Sequence, residues 1–128
     1  RAAARAGAAA GRGLPAPVRS AVRQLEEYFA GRRRRFDLPL RLEGTPFQRA
    51  VWAFLLTIPY GRAYTYGEVA AALGKPGASR AVGAAVGRNP VSIVVPCHRV
   101  VAAGGRPGGY GGGLDAKLFL LHLEGIRL

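Results

Sequence analysis

Residues 65–86 read TYGEVAAALGKPGASRAVGAAV, and this stretch decides what kind of fold the chain can take. Thr65 stands where a helix N-cap belongs, and Glu68 three residues later forms a capping box with it. Val69, Ala70 and Leu73 supply the inner face of a first short helix. Gly74 to Gly77 make a turn, and a second helix is predicted from about Ala78 to Val86. Ala78, Ala81, Val82 and Ala85 fall on its inner face, while Arg80, Gly83, Ala84 and Gly87 fall on the other. That outer face is nearly bare, with one long cation rising from it. Two short helices joined by a tight turn form the pattern of a helix-turn-helix. The same residues also suit an Ala-rich packing helix with an ordinary surface arginine, and spacing alone leaves both readings open.

Working outward, Thr45 can cap a helix with Pro46 in its first turn, and Phe47, Val51, Phe54 and Ile58 recur at helical spacing. Pro59 and Gly61 stop it. Further upstream, Val18, Val22, Leu25 and Phe29 mark a helix over residues 18–30 that Gly31 ends, and Arg32 to Arg35 form a basic turn. Phe36, Leu38, Leu40 and Leu42 alternate as in a short strand, which Pro39 confines to an edge or a connector. Residues 1–17 are Ala, Gly, Arg and Pro with little pattern and read as a flexible tail or linker. Downstream, Ser92 to Val95 predict a short buried strand or extended segment broken by Pro96. A Gly-rich loop runs from Gly104 to Gly113, and a last helix spans Leu114 to Leu123, with Leu114, Leu118 and Leu121 on one stripe. The expected division is a tail over 1–17, a helix and connector over 18–43, and a main domain over 44–128.

The 128 residues suffice for one compact domain with a small appendage. Apolar runs are too short for a membrane span. Nineteen Lys and Arg against seven Asp and Glu leave a net charge of +12, and seventeen of the nineteen are Arg. A polyanionic partner, nucleic acid first, is the simplest reading of that excess, although an Arg-rich composition bias would give the same count. One Cys excludes an intrachain disulfide, and no secretory apolar segment precedes the domain, so a reducing, cytoplasmic setting is expected. The chain begins at Arg1 and contains no Met, which suggests a missing N-terminal portion.

The only Cys, Cys97, is followed at once by His98, one of two His in the chain. An imidazole can accept a thiol proton or stabilise a thiolate. A free Cys is also often simply a small buried apolar residue, and local spacing does not separate the two. One Cys and two distant His do not make a four-ligand zinc site, and no metal or cofactor is expected.

The stretch Pro96-Cys97-His98-Arg99-Val100 resembles the active-site motif of the O6-alkylguanine-DNA alkyltransferases, or methylated-DNA–protein-cysteine methyltransferases. Further segments share the likeness in order: Thr45-Pro46-Phe47-Gln48, Ile58-Pro59-Tyr60-Gly61, Tyr64-Thr65-Tyr66-Gly67-Glu68, Ser79-Arg80-Ala81-Val82-Gly83, Asn89-Pro90, Tyr110 with Gly112-Gly113, and His122-Leu123-Glu124-Gly125. The resemblance covers roughly residues 18–128. It implies an α+β chain: a mainly helical, winged-helix-like C-terminal domain behind a truncated remnant of an N-terminal ribonuclease-H-like α/β domain.

The resemblance also implies the chemistry. Cys97 would accept a methyl or small alkyl group from O6 of guanine, with O4 of thymine as a second substrate, once per molecule. Glu124 and His98, through a bound water, would hold Cys97 as thiolate. Tyr66 would bond the flipped base, Tyr110 would pack against it, and Val100, Gly108 and Gly111 would complete the pocket. Asn89 would support the turn holding the reactive residues. Thr65, Gly83, Ala84 and Gly87 would meet the minor groove of double-stranded DNA, with Arg80 filling the place of the extruded nucleotide. Extrusion is required because O6 is stacked inside the duplex. Gly111 stands where relatives often carry Ser, so a hydroxyl is lost there. Lys117 is expected at the surface. The expected protein is a monomer without membrane association. Three rivals remain: a lesion-binding module of the alkyltransferase-like kind, which lacks the reactive Cys; a thiol hydrolase or peptidase using Cys97, His98 and Glu124; and a degraded or truncated copy that folds poorly and does nothing.

Overall fold

The computed structural model describes Gly13 and residues 15–128. Two compact units are present, the first ending at Arg41 and the second running from Leu42 to Leu128. Among the described residues no helix is long and apolar enough to cross a membrane. The tail expected over 1–17 lies, for residues 1–12 and 14, outside the described residues, and Ala16 and Pro17 already belong to a helix.

In the first unit, α1 spans Ala16–Phe29. Gly31 ends it in the left-handed conformation that glycine adopts without cost. Its buried residues are Gln24 and Tyr28, not the expected stripe: Val18 and Phe29 are each more than two-fifths exposed. Tyr28 packs against Phe36, with ring centroids 5.5 Å apart. The strand expected over 36–42 does not form. Instead the Gln24 amide grips the backbone of Asp37, donating to its carbonyl at 2.9 Å and accepting from its N–H at 2.8 Å. These backbone groups are satisfied by a side chain, and Pro39 has no N–H to give a ladder.

The second unit is mainly helical. Its first helix, α2, spans Pro46–Leu55 and starts at a capping box in which Thr45 accepts from the Gln48 N–H and Gln48 reaches back to the Thr45 N–H. Tyr64–Thr65 form β1, which leads directly into α3, Tyr66–Ala72. Thr65 and Glu68 make the capping box expected from their spacing. After the Gly74–Gly77 turn comes α4, Ser79–Gly87. Helix α4 packs on both α2 and α3, completing the helix-turn-helix. Trp52 Nε1 donates to the Ala85 carbonyl at 2.8 Å inside the core and so locks α4 to α2. Val82, Ala85 and Val86 are buried, whereas Ala81, expected inside, is exposed.

Val100–Val101 form β2, parallel to β1 with Tyr64 opposite Val100. The last helix, α5, spans Leu114–Leu123. Its stripe is displaced from the expected one: Lys117, Leu120 and Leu121 are buried, and Leu114 is half exposed. The fold is thus mixed α+β and mostly helical, around Val51, Leu55, Val69, Val82, Val95, Val100 and Leu121. Burying side chains of this size contributes about 1.5–3 kcal/mol each.

Candidate active site

The reactive segment is built from turns. Residues 92–95, expected to be extended, are folded tightly: Val94 N–H bonds the Ser92 carbonyl at 2.8 Å around Ile93, whose φ is +74°. A β-branched residue in that region is strained, and such strain collects near functional sites. A second tight turn follows about Pro96, with the Cys97 N–H donating to the Val95 carbonyl at 2.7 Å. The Asn89 amide clasps both sides of this segment, donating to the Val95 carbonyl at 2.8 Å and accepting from the Val91 N–H at 3.0 Å. Cys97 to Arg99 then form one 3-10 turn, with all three side chains buried.

Cys97 is 5% exposed. Burial pushes its thiol pKa up, while hydrogen bonding from Asn89, the charge of Lys117 and the Ser92 hydroxyl pull it back. Behind it stands a polar network. His98 Nε2 is 2.7 Å from Glu124 Oε2, and Arg99 meets both Glu124 oxygens, Nε at 2.8 Å and Nη2 at 2.9 Å. Arg99 Nη1 also donates to the Ile58 carbonyl at 2.7 Å, and the Gly61 N–H donates to Glu124 Oε1 at 3.1 Å. The guanidinium and carboxylate therefore compensate one another in a two-pronged pair. Burial pushes the His98 pKa down despite the pull of Glu124. A neutral imidazole donating from Nε2 leaves Nδ1 as a lone-pair acceptor, and Nδ1 has no hydrogen-bond partner among the described residues.

Two phenols face the thiol. Tyr110 and Tyr66 are each half-buried, and burial raises both pKa values, with the Cys97 sulfur adding to the rise, so both remain protonated donors at neutral pH. Tyr66, the first residue of α3, is held on three sides. A Cβ on Gly108 would lie 2.9 Å from its hydroxyl, one on Gly83 would lie 3.8 Å from its ring, and Lys117 Nζ is 5.9 Å from its ring centroid. Gly83 thereby links α4 to the residues about Cys97.

The remaining expected residues are distributed as follows. Arg80, Ala84 and Gly87 are exposed on α4, and Gly111 is exposed on the glycine loop. The Thr65 hydroxyl is engaged as the cap of α3. Val100 has no exposed surface and reaches the site through its carbonyl, which accepts from Lys117. Lys117, expected at the surface, is fully buried and donates to the carbonyls of Val100 at 2.6 Å and Gly109 at 3.0 Å. Its helical spacing with Leu120 and Leu121 was the signal for burial. Arg99 received no role from the sequence, and nothing local shows that its partner is Glu124.

Comparison with known proteins agrees with this arrangement. Residues 46–126 match the DNA-binding domain of 6-O-methylguanine DNA methyltransferase, and residues 9–42 match the ribonuclease-like domain of the same family. The methylated-DNA–protein-cysteine methyltransferase of Methanosarcina acetivorans is 59% identical over 107 residues, which are 84% of this chain and 69% of that protein. The crystal structure of Mycobacterium tuberculosis OGT in complex with DNA superposes with a TM-score of 0.82 at 57% identity, covering 83% of this chain and 65% of that one. Schizosaccharomyces pombe Atl1, crystallised with damaged DNA containing O6-carboxymethylguanine, gives 0.58 at 31% identity, over 67% of this chain and 82% of that one. The chain spans about two thirds of the length of the two methyltransferases. With a single cysteine set in this network, and 59% and 57% of the aligned residues identical to the two methyltransferases, the chain belongs to the family of methylated-DNA–protein-cysteine methyltransferases.

Proposed function

We propose that this chain reverses alkylation damage directly, taking a methyl or small alkyl group from O6 of guanine in duplex DNA onto Cys97. The observation that carries this reading is the reactive turn itself. The sole cysteine is adjacent to a neutral histidine whose Nε2 is committed to Glu124 and whose Nδ1 is an open acceptor. Sulfur forms its bond to the alkyl carbon as the carbon–O6 bond breaks, and that electron pair stays with guanine. The thiol proton passes to His98 Nδ1, directly or through a water, and is returned through solvent to the guanine anion, which leaves neutral and restores the neutral imidazole. Tyr66, a protonated phenol, donates to the base as its charge develops, and Tyr110 packs beside it. The thioether has no route back, so each molecule acts once.

The exposed face of α4 is the part suited to the groove: Ala84 and Gly87 keep it thin, and Arg80 extends beyond them. Arg80 fills the gap left by the extruded nucleotide, whose unstacking costs on the order of a few kcal/mol. Double-stranded DNA is the partner, residues 44–128 are the catalytic and DNA-binding domain, and residues 18–43 are a remnant of the ribonuclease-like domain. Lesion binding without transfer is the second reading, and what favours it is the likeness to Atl1, which was crystallised with damaged DNA. Intact-mass measurement after incubation with O6-methylguanine DNA separates them. Transfer adds one methylene equivalent, mapped to Cys97 and absent in Cys97→Ser; tight binding with unchanged mass leaves only the second reading.

A further inference from the structure

Three basic side chains lie in or beside the reactive turn, and two of them carry no net charge toward the sulfur. His98 is kept neutral by burial, and Arg99 is compensated by both oxygens of Glu124. Lys117 is the third. It has no exposed surface, its Nζ donates only to the neutral carbonyls of Val100 and Gly109, and among the described residues no carboxylate pairs with it. A buried ammonium without a counter-charge is costly, so an anion that appears beside it is favoured.

We propose that Lys117 is a positioning residue for alkyl transfer: it pins the Gly109 loop to β2 and supplies the uncompensated positive charge that the Cys97 thiolate faces. The inference rests on the transfer reading above and deepens it by naming what stabilises the charged nucleophile. The other groups about the sulfur are neutral or self-compensated: Tyr66 from α3, Tyr110 from the glycine loop, Asn89 and Ser92 from the strained segment, and the His98–Glu124–Arg99 network. Helix α2 also packs on the reactive turn, but its one charged residue, Arg49, is exposed and bonded to the Gly44 carbonyl at 2.7 Å. The charge of Lys117 pulls the Cys97 thiol down, and the sulfur in turn holds Lys117 charged. Burial brings Lys117 itself to about 8, so most molecules carry the ammonium at neutral pH.

The test is the pH profile of Cys97 alkylation by iodoacetamide in the native chain, K117M and K117R, with no DNA present. Loss of the charge in K117M should raise the midpoint by about one pH unit, a roughly tenfold loss of thiolate at neutral pH, and K117R should stay close to the native profile. A K117M profile that overlays the native one, or a K117R profile shifted as far as K117M, overturns the proposal. Should K117M not fold, the native protein decides. Alkylation of Cys97 removes the anion, so it should lower the titration midpoint of the Lys117 ammonium read by NMR, and an unchanged midpoint overturns the pairing. A chain that shows the Lys117-dependent profile but takes no alkyl group from DNA defeats the transfer reading and leaves the pairing standing. Adduct formation from DNA with an unshifted K117M profile does the reverse.

Discussion

Nε2 of His98 lies 2.7 Å from Oε2 of Glu124, and neither side chain touches solvent. The same carboxylate holds Arg99, so one residue fixes both the imidazole beside the reactive thiol and the guanidinium behind it. Glu124→Gln leaves that guanidinium buried without its counter-charge, which costs about 3–5 kcal/mol. Urea unfolding should show a clearly lower midpoint, and alkyl transfer should slow with it. A variant as stable as the parent would show that this network contributes no stability.

Acid should weaken the fold through His98. In the unfolded chain the imidazole takes a proton near pH ~6.5, whereas burial delays protonation of the folded chain to lower pH. Between those two values the unfolded state binds more protons, so this contribution is complete above the window and is lost as pH falls through it. Urea midpoints measured from about pH 7.5 down to about pH 5 should fall, with proton uptake on unfolding. A flat series would contradict the neutral, buried imidazole.

Gly108 and Gly111 should respond differently to alanine. At Gly108 φ is +77°, and a Cβ would sit 2.9 Å from the Tyr66 hydroxyl and 3.1 Å from its ring. Gly108→Ala is therefore expected to cost about 1–2 kcal/mol and to displace the phenol, lowering the rate of adduct formation. At Gly111 a Cβ would meet nothing within 4 Å, and Gly111→Ala should leave the unfolding midpoint unchanged. Equal effects at the two positions would refute the Tyr66 contact as the cause.

Arg80→Ala should separate binding from extrusion. Arg80 is exposed at the start of α4, so its loss removes little of the fold. Affinity for undamaged duplex should drop by no more than about one phosphate contact, read as a change of about 0.9 in the salt slope. Transfer from duplex DNA should slow at least about tenfold, while transfer from the free O6-alkylguanine base, which needs no extrusion, should stay the same. Parallel losses with both substrates would place Arg80 in folding rather than flipping.

Much of the second unit was legible because its signals are local. The Thr65–Glu68 box, the turn at Gly74–Gly77 and the α5 span depend on residues within one helical turn of each other, and all three form as read. Segments 36–42 and 92–95 depart from the extended reading because alternation and β-branching are only propensities. In the first, Gln24 takes the backbone groups of Asp37; in the second, a tight turn about Ile93 replaces the strand. The inward face of α5 differs from the Leu114, Leu118 and Leu121 stripe because Lys117 lies on the buried side with Leu120 and Leu121, where its ammonium finds the carbonyls of Val100 and Gly109.

The amino-acid order by itself determined the helices, the caps and the placing of one thiol beside one imidazole, since neighbours in the chain cannot be separated by folding. Only the tertiary structure decided that Glu124, twenty-six residues from His98, would close on it, that Arg99 would be compensated, and that Lys117 would not. Which charges share a water-poor space is set by how distant segments pack. In that space the pairing of charges, rather than the kind of residue, governs whether a proton stays or leaves.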